Sequence, residues 1–432
     1  MRHARAVLRY VSQVAAAGLL IGCAGESGPE PLDPALTATA WREDLHVLAR
    51  ELPERHANAF HSITRTAFDS AVAALDTAIP HLGEDAIVVS LRRIIASVGD
   101  GHTNLSFPGN WPLLPLRFSW FGDPVNDPSH LELRITYATP SYERVLGSRV
   151  VEVGDHTIPD AFSALSTIIA QGESVGSTRD ASEFFLRSPN VLHGLGIIPT
   201  ADSVRFTLAE PDGKEILIWV RPTIRGAPLV WRAATRREPL YLSRPDDSFW
   251  FTSLPDARGD SSTVYLALGG YPDYFTFWRR SRALLDYVDR RRPTRLIIDL
   301  RDNGGGDFNK VRRLLIPGLR ARLRVDGPGR LYVLTGPATF SAAMTNAVDL
   351  RRELSAILVG APTGARPNGY QEGEKFRLPR SRMSVSVATR YYRFQDEDTP
   401  GVLPDHHAVA SWQQYRAGWD PALEWVLAGA TR

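Results

Sequence analysis

The sequence predicts an α/β protein whose C-terminal half holds a mostly parallel core sheet, preceded by a helical unit and a β-rich insert. Three observations carry this expectation. First, the short apolar runs Val264 to Leu268, Leu296 to Leu300, Tyr332 to Leu334 and Ile357 to Val359 alternate with helical stretches over 278–290 and 341–353. Buried strands alternating with helices build βαβ units. Second, Ile87, Val88, Leu91, Ile94, Ile95 and Val98 recur at helical spacing and stop at Gly99. Third, Leu131, Leu133 and Ile135 alternate with polar residues, the period of a half-buried strand.

The remaining elements follow in chain order. Structure is expected to begin near Trp41, where Leu45, Leu48, Ala49 and Leu52 share a helical face, as do Ala71, Leu75 and Ile79. Residues 39–110 therefore form the helical unit, which ends at Asp100-Gly101-His102. Over 111–230, Val150 to Val153 leads into the turn-like Gly154-Asp155. Ser203 to Leu208 and Glu215 to Val220 read as a hairpin closed by Pro211-Asp212-Gly213. The stretch Leu146 to Val153 resembles the part of a PDZ-type domain where a strand leads into a loop and helix; an elaborated sheet insertion is the other reading. Residues 231–425 make the α/β core, with Met383 to Ala388 an antiparallel strand at its edge or in a β-subdomain.

A chain of 432 residues is too long for one ordinary core, so roughly two or three domains are expected. The net charge of +2 gives no reason to expect a nucleic-acid partner. Arg2, Arg5 and Arg9 precede an apolar, alanine-rich stretch from Tyr10 to Ile21 that is too short to span a bilayer comfortably. That reads as a signal peptide over 1–23. Leu20-Ile21-Gly22-Cys23 resembles a bacterial lipobox, which implies lipidation of Cys23 and a lipid-anchored place in the cell envelope, on the periplasmic side of a membrane or at the cell surface. An ordinary secretory signal with an incidental cysteine is the alternative. Residues 24–38, rich in glycine and proline, read as a flexible tether. Cys23 is the only cysteine, so the mature chain holds itself by packing without a disulfide.

Three stretches could carry chemistry. In Leu334-Thr335-Gly336-Pro337-Ala338-Thr339-Phe340-Ser341-Ala342-Ala343 a buried strand turns into a helix at a serine. The hydroxyl then sits where unspent N–H groups favour a developing anion. Taken alone, such a serine is more often a plain helix cap. In Leu296 to Asp307 a strand empties into Gly304-Gly305-Gly306, a loop whose N–H groups could face an oxyanion or face nothing. It has neither a phosphate-loop ending nor dinucleotide spacing. In Gly99-Asp100-Gly101-His102-Thr103, a histidine lies on a small-residue loop where it can titrate. A hydrogen-bonded surface histidine is its plain reading.

Taken in order, the three resemble the tail-specific, or C-terminal-processing, serine peptidases, in the tricorn-core and retinoid-binding-protein-like branch. The matching pieces are Asp100-Gly101-His102-Thr103, Ile298 to Gly306 and Thr339 to Ala343, completed by Gly360-Ala361-Pro362-Thr363-Gly364 and Gly401-Val402-Leu403-Pro404-Asp405. The resemblance implies a ClpP/crotonase-like βαβ core with the helical unit and a PDZ-like or β-rich insert. It implies Ser341 as nucleophile, His102 as general base, and the N–H groups of Ala342 and of Gly305 or its neighbour as the oxyanion hole. Gly304, Gly306, Thr339 and Arg366 fall beside the substrate. Asp398, with Glu397 beside it and Glu372 further off, falls on the supporting carboxylate. Relatives with a Ser-Lys dyad carry a lysine where this chain has Arg366, and glutamate where it has Met344. Guanidinium stays protonated and cannot act as a base. Of the three lysines, Lys375 is off pattern, Lys310 follows the glycine loop, and Lys214 lies in the insert.

These residues lead us to expect an enzyme that hydrolyses peptides through an acyl-enzyme, with no cofactor and no metal, since there is no His-Glu-x-x-His pattern and no cysteine cluster. The adjacent pair His406-His407 reads as a solvated loop. Two other functions stay open: a non-catalytic peptide- or lipophile-binding envelope lipoprotein, and a scaffold that grips protein C-termini through the PDZ-like part.

Overall fold

A computed structural model describes residues 36–429 apart from 124–125, 128–129, 171, 211, 225, 256–262 and 323–329. The signal-peptide segment, Cys23 and most of the proposed tether lie outside the described residues.

Three helices open the fold. The hydroxyl of Thr37 accepts the Ala40 N–H and starts α1 (Ala38–Arg55), which buries Trp41, Leu45, Leu48 and Leu52. Thr64 caps α2 (Arg65–Ala78) in the same way. The apolar stripe of the sequence becomes the buried face of α3 (Glu84–Ala96). Arg92 on that helix is buried between the rings of Phe107 and Phe185, at 4.7 and 4.8 Å, and donates to the Ile168 carbonyl at 3.1 Å. Burial pulls its pKa down to about 10. Just past α3 the chain turns at Gly99 (φ 95°) into the loop of His102, then forms the short β1 (Asn104–Leu105).

The insert is an antiparallel sheet made of β2 (Leu116–Phe121), β3 (Glu132–Ala138), β4 (Arg149–Val153), β5 (His156–Thr157), β6 (Val204–Ala209), β7 (Glu215–Val220) and β8 (Arg232–Ala233). Its path runs β2-β3-β4-β6-β7, with β5 on β4 and β8 on β3. The β6–β7 pair is the hairpin read from the sequence. Three helices lie between β5 and β6: α4 (Ile158–Ser166), α5 (Val175–Phe185) and α6 (Pro189–Gly194). One continuous apolar cluster joins Leu48, Val88 and Leu91 of the opening helices to Ile135, Val150 and Phe206 of the insert, so helices and insert share a core.

The second half is built on β9 (Phe249–Leu254), β10 (Thr263–Leu268), β11 (Arg295–Asp299), β12 (Leu331–Thr335) and β13 (Ile357–Gly360). All but β9 run parallel. Helices α7 (Tyr274–Arg291), α8 (Ile316–Arg322) and α9 (Ala342–Leu354) cover one face. A long hairpin, β14 (Asn368–Arg377) with β15 (Ser384–Arg393), reaches back to β1 to form a third sheet. The chain closes with β16 (His406–His407), α10 (Trp412–Ala417) and α11 (Pro421–Leu427), the last covering the other face of the parallel sheet. His406-His407 is therefore an edge strand on β13 and not a solvated loop, because His406 stacks 4.1 Å from the Trp425 ring and β13 supplies a ladder.

Ligands of open parallel sheets bind beyond the carboxyl ends of the strands. There β11 feeds the glycine loop and β12 feeds the turn before Ser341. The β14–β15 hairpin brings the opening helices to the same place. The Ala388 N–H donates to Thr103 Oγ1 at 3.0 Å, and the Ala57 N–H donates to the Ala388 carbonyl at 3.0 Å.

Candidate active site

Ser341 has a backbone that few serines adopt. Its φ is 50° and its ψ is −120°, a left-handed conformation that costs a non-glycine residue about 1–3 kcal/mol. The surroundings hold it there: Thr345 N–H donates to the Ser341 carbonyl at 3.0 Å, Phe340 N–H to Asn303 at 3.0 Å, and Gly364 N–H to Thr339 at 3.0 Å. Six serine or threonine residues at other helix starts, Thr37, Thr64, Thr157, Ser174, Ser188 and Ser411, accept an N–H of their own helix. Ser341 makes no such bond. Its Oγ lies instead 2.9 Å from His102 Nε2, so the plain helix cap does not describe it.

The loop of His102 is anchored on a buried carboxylate. Asp100 Oδ1 accepts the N–H groups of His102 at 3.1 Å and Thr103 at 2.8 Å. Asp100 Oδ2 lies 2.9 Å from His56 Nε2. Because His56 Nδ1 accepts the Asn58 N–H at 2.9 Å, the Nε2 of that ring carries the proton and donates to Asp100. Phe340 covers the His102 ring at 5.1 Å between centroids. Gly101 must be small, since a Cβ there would stand 2.5 Å from Phe340 Cζ. Burial lowers the pKa of His102, opposed by the charges of Asp100 and Glu372. The ring is thus neutral at neutral pH, the form that can take a serine proton.

The glycine loop is organised by Asn303, which is fully buried. Its Nδ2 donates to the Leu268 carbonyl at 2.7 Å and its Oδ1 accepts the Gly305 N–H at 2.9 Å. Gly306 has φ 148°, and a Cβ there would meet Tyr271 at 2.7 Å. Below the loop, Arg301 donates to Asp299 at 2.6 Å and Asp420 at 2.7 Å, and lies 4.3 Å over the Tyr241 ring. Burial opposes its charge, but Asp299 and Asp420 more than offset this and hold its pKa above the usual guanidinium value. The two later motifs pack on one another: Val402 N–H donates to Thr363 Oγ1 at 2.8 Å, and a Cβ on Gly401 would stand 2.3 Å from the Thr363 carbonyl oxygen.

The carboxylates read from the sequence bond to other side chains or to solvent, although the charge of Glu372 acts on His102. Asp398 is largely exposed, with Oδ1 3.2 Å from Arg366 Nη2. Glu397 is exposed, and its carbonyl accepts from Asn368 at 3.0 Å. Glu372 lies on β14 with φ 59°, accepts the Tyr392 hydroxyl, and is 3.7 Å from Arg390. His102 Nδ1 is buried and has no hydrogen-bond partner among the described residues. Thr339 is fully buried, its hydroxyl donating to the Leu300 carbonyl at 2.9 Å and accepting the Gly336 N–H at 3.0 Å, which ties the serine turn to the end of β11. Lys310 donates to the Pro272 carbonyl at 2.7 Å. Among the described residues no three His, Cys, Asp or Glu side chains converge to hold a metal ion.

No family model matches this sequence, and no curated protein matches it significantly. Solved structures do. The complex of mature CPAF with lactacystin superposes with a TM-score of 0.61 at 13% identity, covering 91% of this chain and 97% of that one. Mature CPAF alone gives 0.59 at 14% identity over the same shares. The chain has the tail-specific protease fold. The photosystem II D1 C-terminal processing protease is more distant, with a TM-score of 0.41 at 14% identity over 85% of this chain and 92% of that one. Within the tail-specific protease fold, Ser341 and His102 come from opposite ends of the sequence, 239 residues apart, and meet where two parallel strands end.

Sequence reasoning passed over Glu173, His56 and the organising role of Asn303. Asp100 and Asn303 stand inside the glycine-bearing motifs Gly99 to Thr103 and Leu296 to Asp307, so a signal existed for them. Glu173 and His56 had none, since each acts through partners remote in the chain.

Proposed function

We propose that this protein is a serine peptidase that hydrolyses peptide bonds through an acyl-enzyme on Ser341, with His102 as general base. The observation that carries the reading is the 2.9 Å approach of Ser341 Oγ to His102 Nε2, made by a serine that declines its helix-capping bond. The Ser341 hydroxyl donates its proton to neutral His102 as Oγ attacks the peptide carbonyl carbon. The tetrahedral oxyanion faces the N–H of Ala342, at the positive end of α9, and a neighbouring N–H of the glycine loop, from Gly304 or Gly306, because the Gly305 N–H expected from the sequence is already donated to Asn303 Oδ1. His102 then gives its proton to the leaving amine, and water repeats the sequence to free the acid and restore the serine.

Within this reading Asp398 is the supporting carboxylate, acting through Arg366, and Arg366 is the cation beside the substrate. Glu372 is a second carboxylate whose charge reaches His102. The insert serves as a PDZ-like platform, supported by the order of β4 followed by α4. Anchoring at Cys23 in a bacterial envelope is proposed on the sequence alone; among the described residues no helix is long and apolar enough to cross a membrane. Turnover of peptides and labelling by a fluorophosphonate, both lost in Ser341→Ala, test the proposal. A wild-type protein that binds peptide without being labelled supports the non-catalytic reading instead.

A further inference from the structure

Glu173 lies in the segment between α4 and α5, buried beside the site, and nothing in the reaction sequence above uses it. Each of its carboxylate oxygens holds a different loop. Oε1 accepts the N–H of Gly101 at 2.9 Å, one residue before His102. Oε2 accepts the N–H of Arg366 at 2.8 Å. Its neighbours press on the same loops. A Cβ on Gly172 would stand 1.7 Å from the Gly99 carbonyl oxygen, so backbone lies directly on backbone there. Ser174 N–H donates to the Gly364 carbonyl at 3.2 Å, and Gly364 N–H in turn donates to Thr339, two residues before Ser341.

We infer that Glu173 is a positioning residue whose ionised carboxylate clips the His102 loop to the Arg366 loop, so that acylation of Ser341 depends on its charge state. The inference rests on the serine-peptidase reading of Ser341 and His102. Two converging N–H donors are met best by the two charged oxygens of a carboxylate. Protonation makes one of those oxygens a much weaker acceptor, and a glutamine replaces one by an NH₂ group that cannot accept. One half of the clip is then lost, and the residue next to the base is freed. A misplacement of about 1 Å at such a position costs roughly 10²-fold in rate.

The charged groups facing the carboxyl are Asp100, which disfavours its ionisation, and Arg366, which favours it. Burial is the larger influence and pushes its pKa up to about 7. His102 is held below its ordinary 6.5. The base is therefore already neutral at the pH where the clip closes, and the acid limb of the activity profile belongs to Glu173.

The test is the pH dependence of Ser341 labelling by a fluorophosphonate in wild type, Glu173→Gln and Glu173→Asp, with Ser341→Ala as blank and a thermal melt of each variant. Wild type is expected to gain reactivity with a midpoint at about pH 7. Glu173→Gln is expected to react roughly 10²-fold more slowly at its plateau, with the midpoint moved below 6.5 to that of His102. Glu173→Asp keeps the charge but shortens the reach, so it slows while its acid limb persists. A Glu173→Gln protein with the wild-type rate, or slowed with an unmoved midpoint, overturns the inference alone. If that variant does not fold, a Glu173→Asp protein with the full wild-type rate overturns it. A wild type that no pH renders reactive overturns the reading of Ser341, and this inference with it.

Discussion

Replacing Glu173 by glutamine should remove a specific pH dependence of stability. A carboxyl raised by burial from its ordinary 4.5 to about 7 binds its proton more tightly in the folded chain than in the unfolded one. At roughly 1.4 kcal/mol per pH unit, that difference amounts to about 3 kcal/mol. Between those two values the folded state holds more protons, so stability falls as pH rises through the window, and above pH 7 the full cost of a buried ionised carboxylate is present. Asp302, raised by burial to about 7, and Asp180, raised by burial to about 6, add slopes of the same sign, but both variants carry them equally. The assay is urea denaturation of wild type and Glu173→Gln at about pH 5 and about pH 8. Wild type should lose about 2.5 kcal/mol more than the variant between the two conditions, a little less than the full difference because some ionisation of the unfolded chain precedes pH 5. Parallel pH dependences in the two proteins would refute the reasoning. On the expected result the site trades stability for reactivity: the ionisation that closes the clip is the one that burial opposes.

Two further outcomes follow from the same contacts. Asp420→Ala leaves Arg301 buried with one carboxylate instead of two, and should destabilise by about 3–5 kcal/mol in chemical denaturation; a change within error would mean that Asp299 alone satisfies the guanidinium. Asn303→Ala strands the Leu268 carbonyl and frees the Gly305 N–H. It should cost about 1–3 kcal/mol and slow Ser341 acylation more than it slows binding of a peptide. Equal effects on both would place Asn303 in the scaffold only.

Much of the core was legible because buried parallel strands are apolar on both faces, and β10, β11, β12 and β13 stand out as such runs. Helix α3 was legible for the complementary reason, a wide apolar stripe. By contrast β14, with Asn368, Gly369, Gly373 and several charges, has no alternation to read. It is a strand because β15 supplies its ladder across the whole hairpin. The common core of the opening helices and the insert was equally hidden, since an apolar residue does not announce which element it will meet.

The site divides in the same way. Ser341 and His102 sit in local motifs whose glycines and small residues reflect real constraints: the Gly101 position has no room for a Cβ, and the serine turn is held by Thr339 and Asn303. Glu173 answers to N–H groups 72 and 193 residues away, and a lone glutamate between a glycine and a serine gives no hint of that. The supporting carboxylate is the intermediate case. Its motif points to Asp398, while the side chain's partner in the fold is Arg366.

The most direct measurement is the site of covalent attachment. Wild type treated with a fluorophosphonate and digested should carry the adduct on the peptide containing Ser341, with His102→Ala labelled far more slowly and Ser341→Ala unlabelled. An adduct on another residue, or labelling of Ser341→Ala equal to that of wild type, would contradict the assignment of Ser341 as nucleophile.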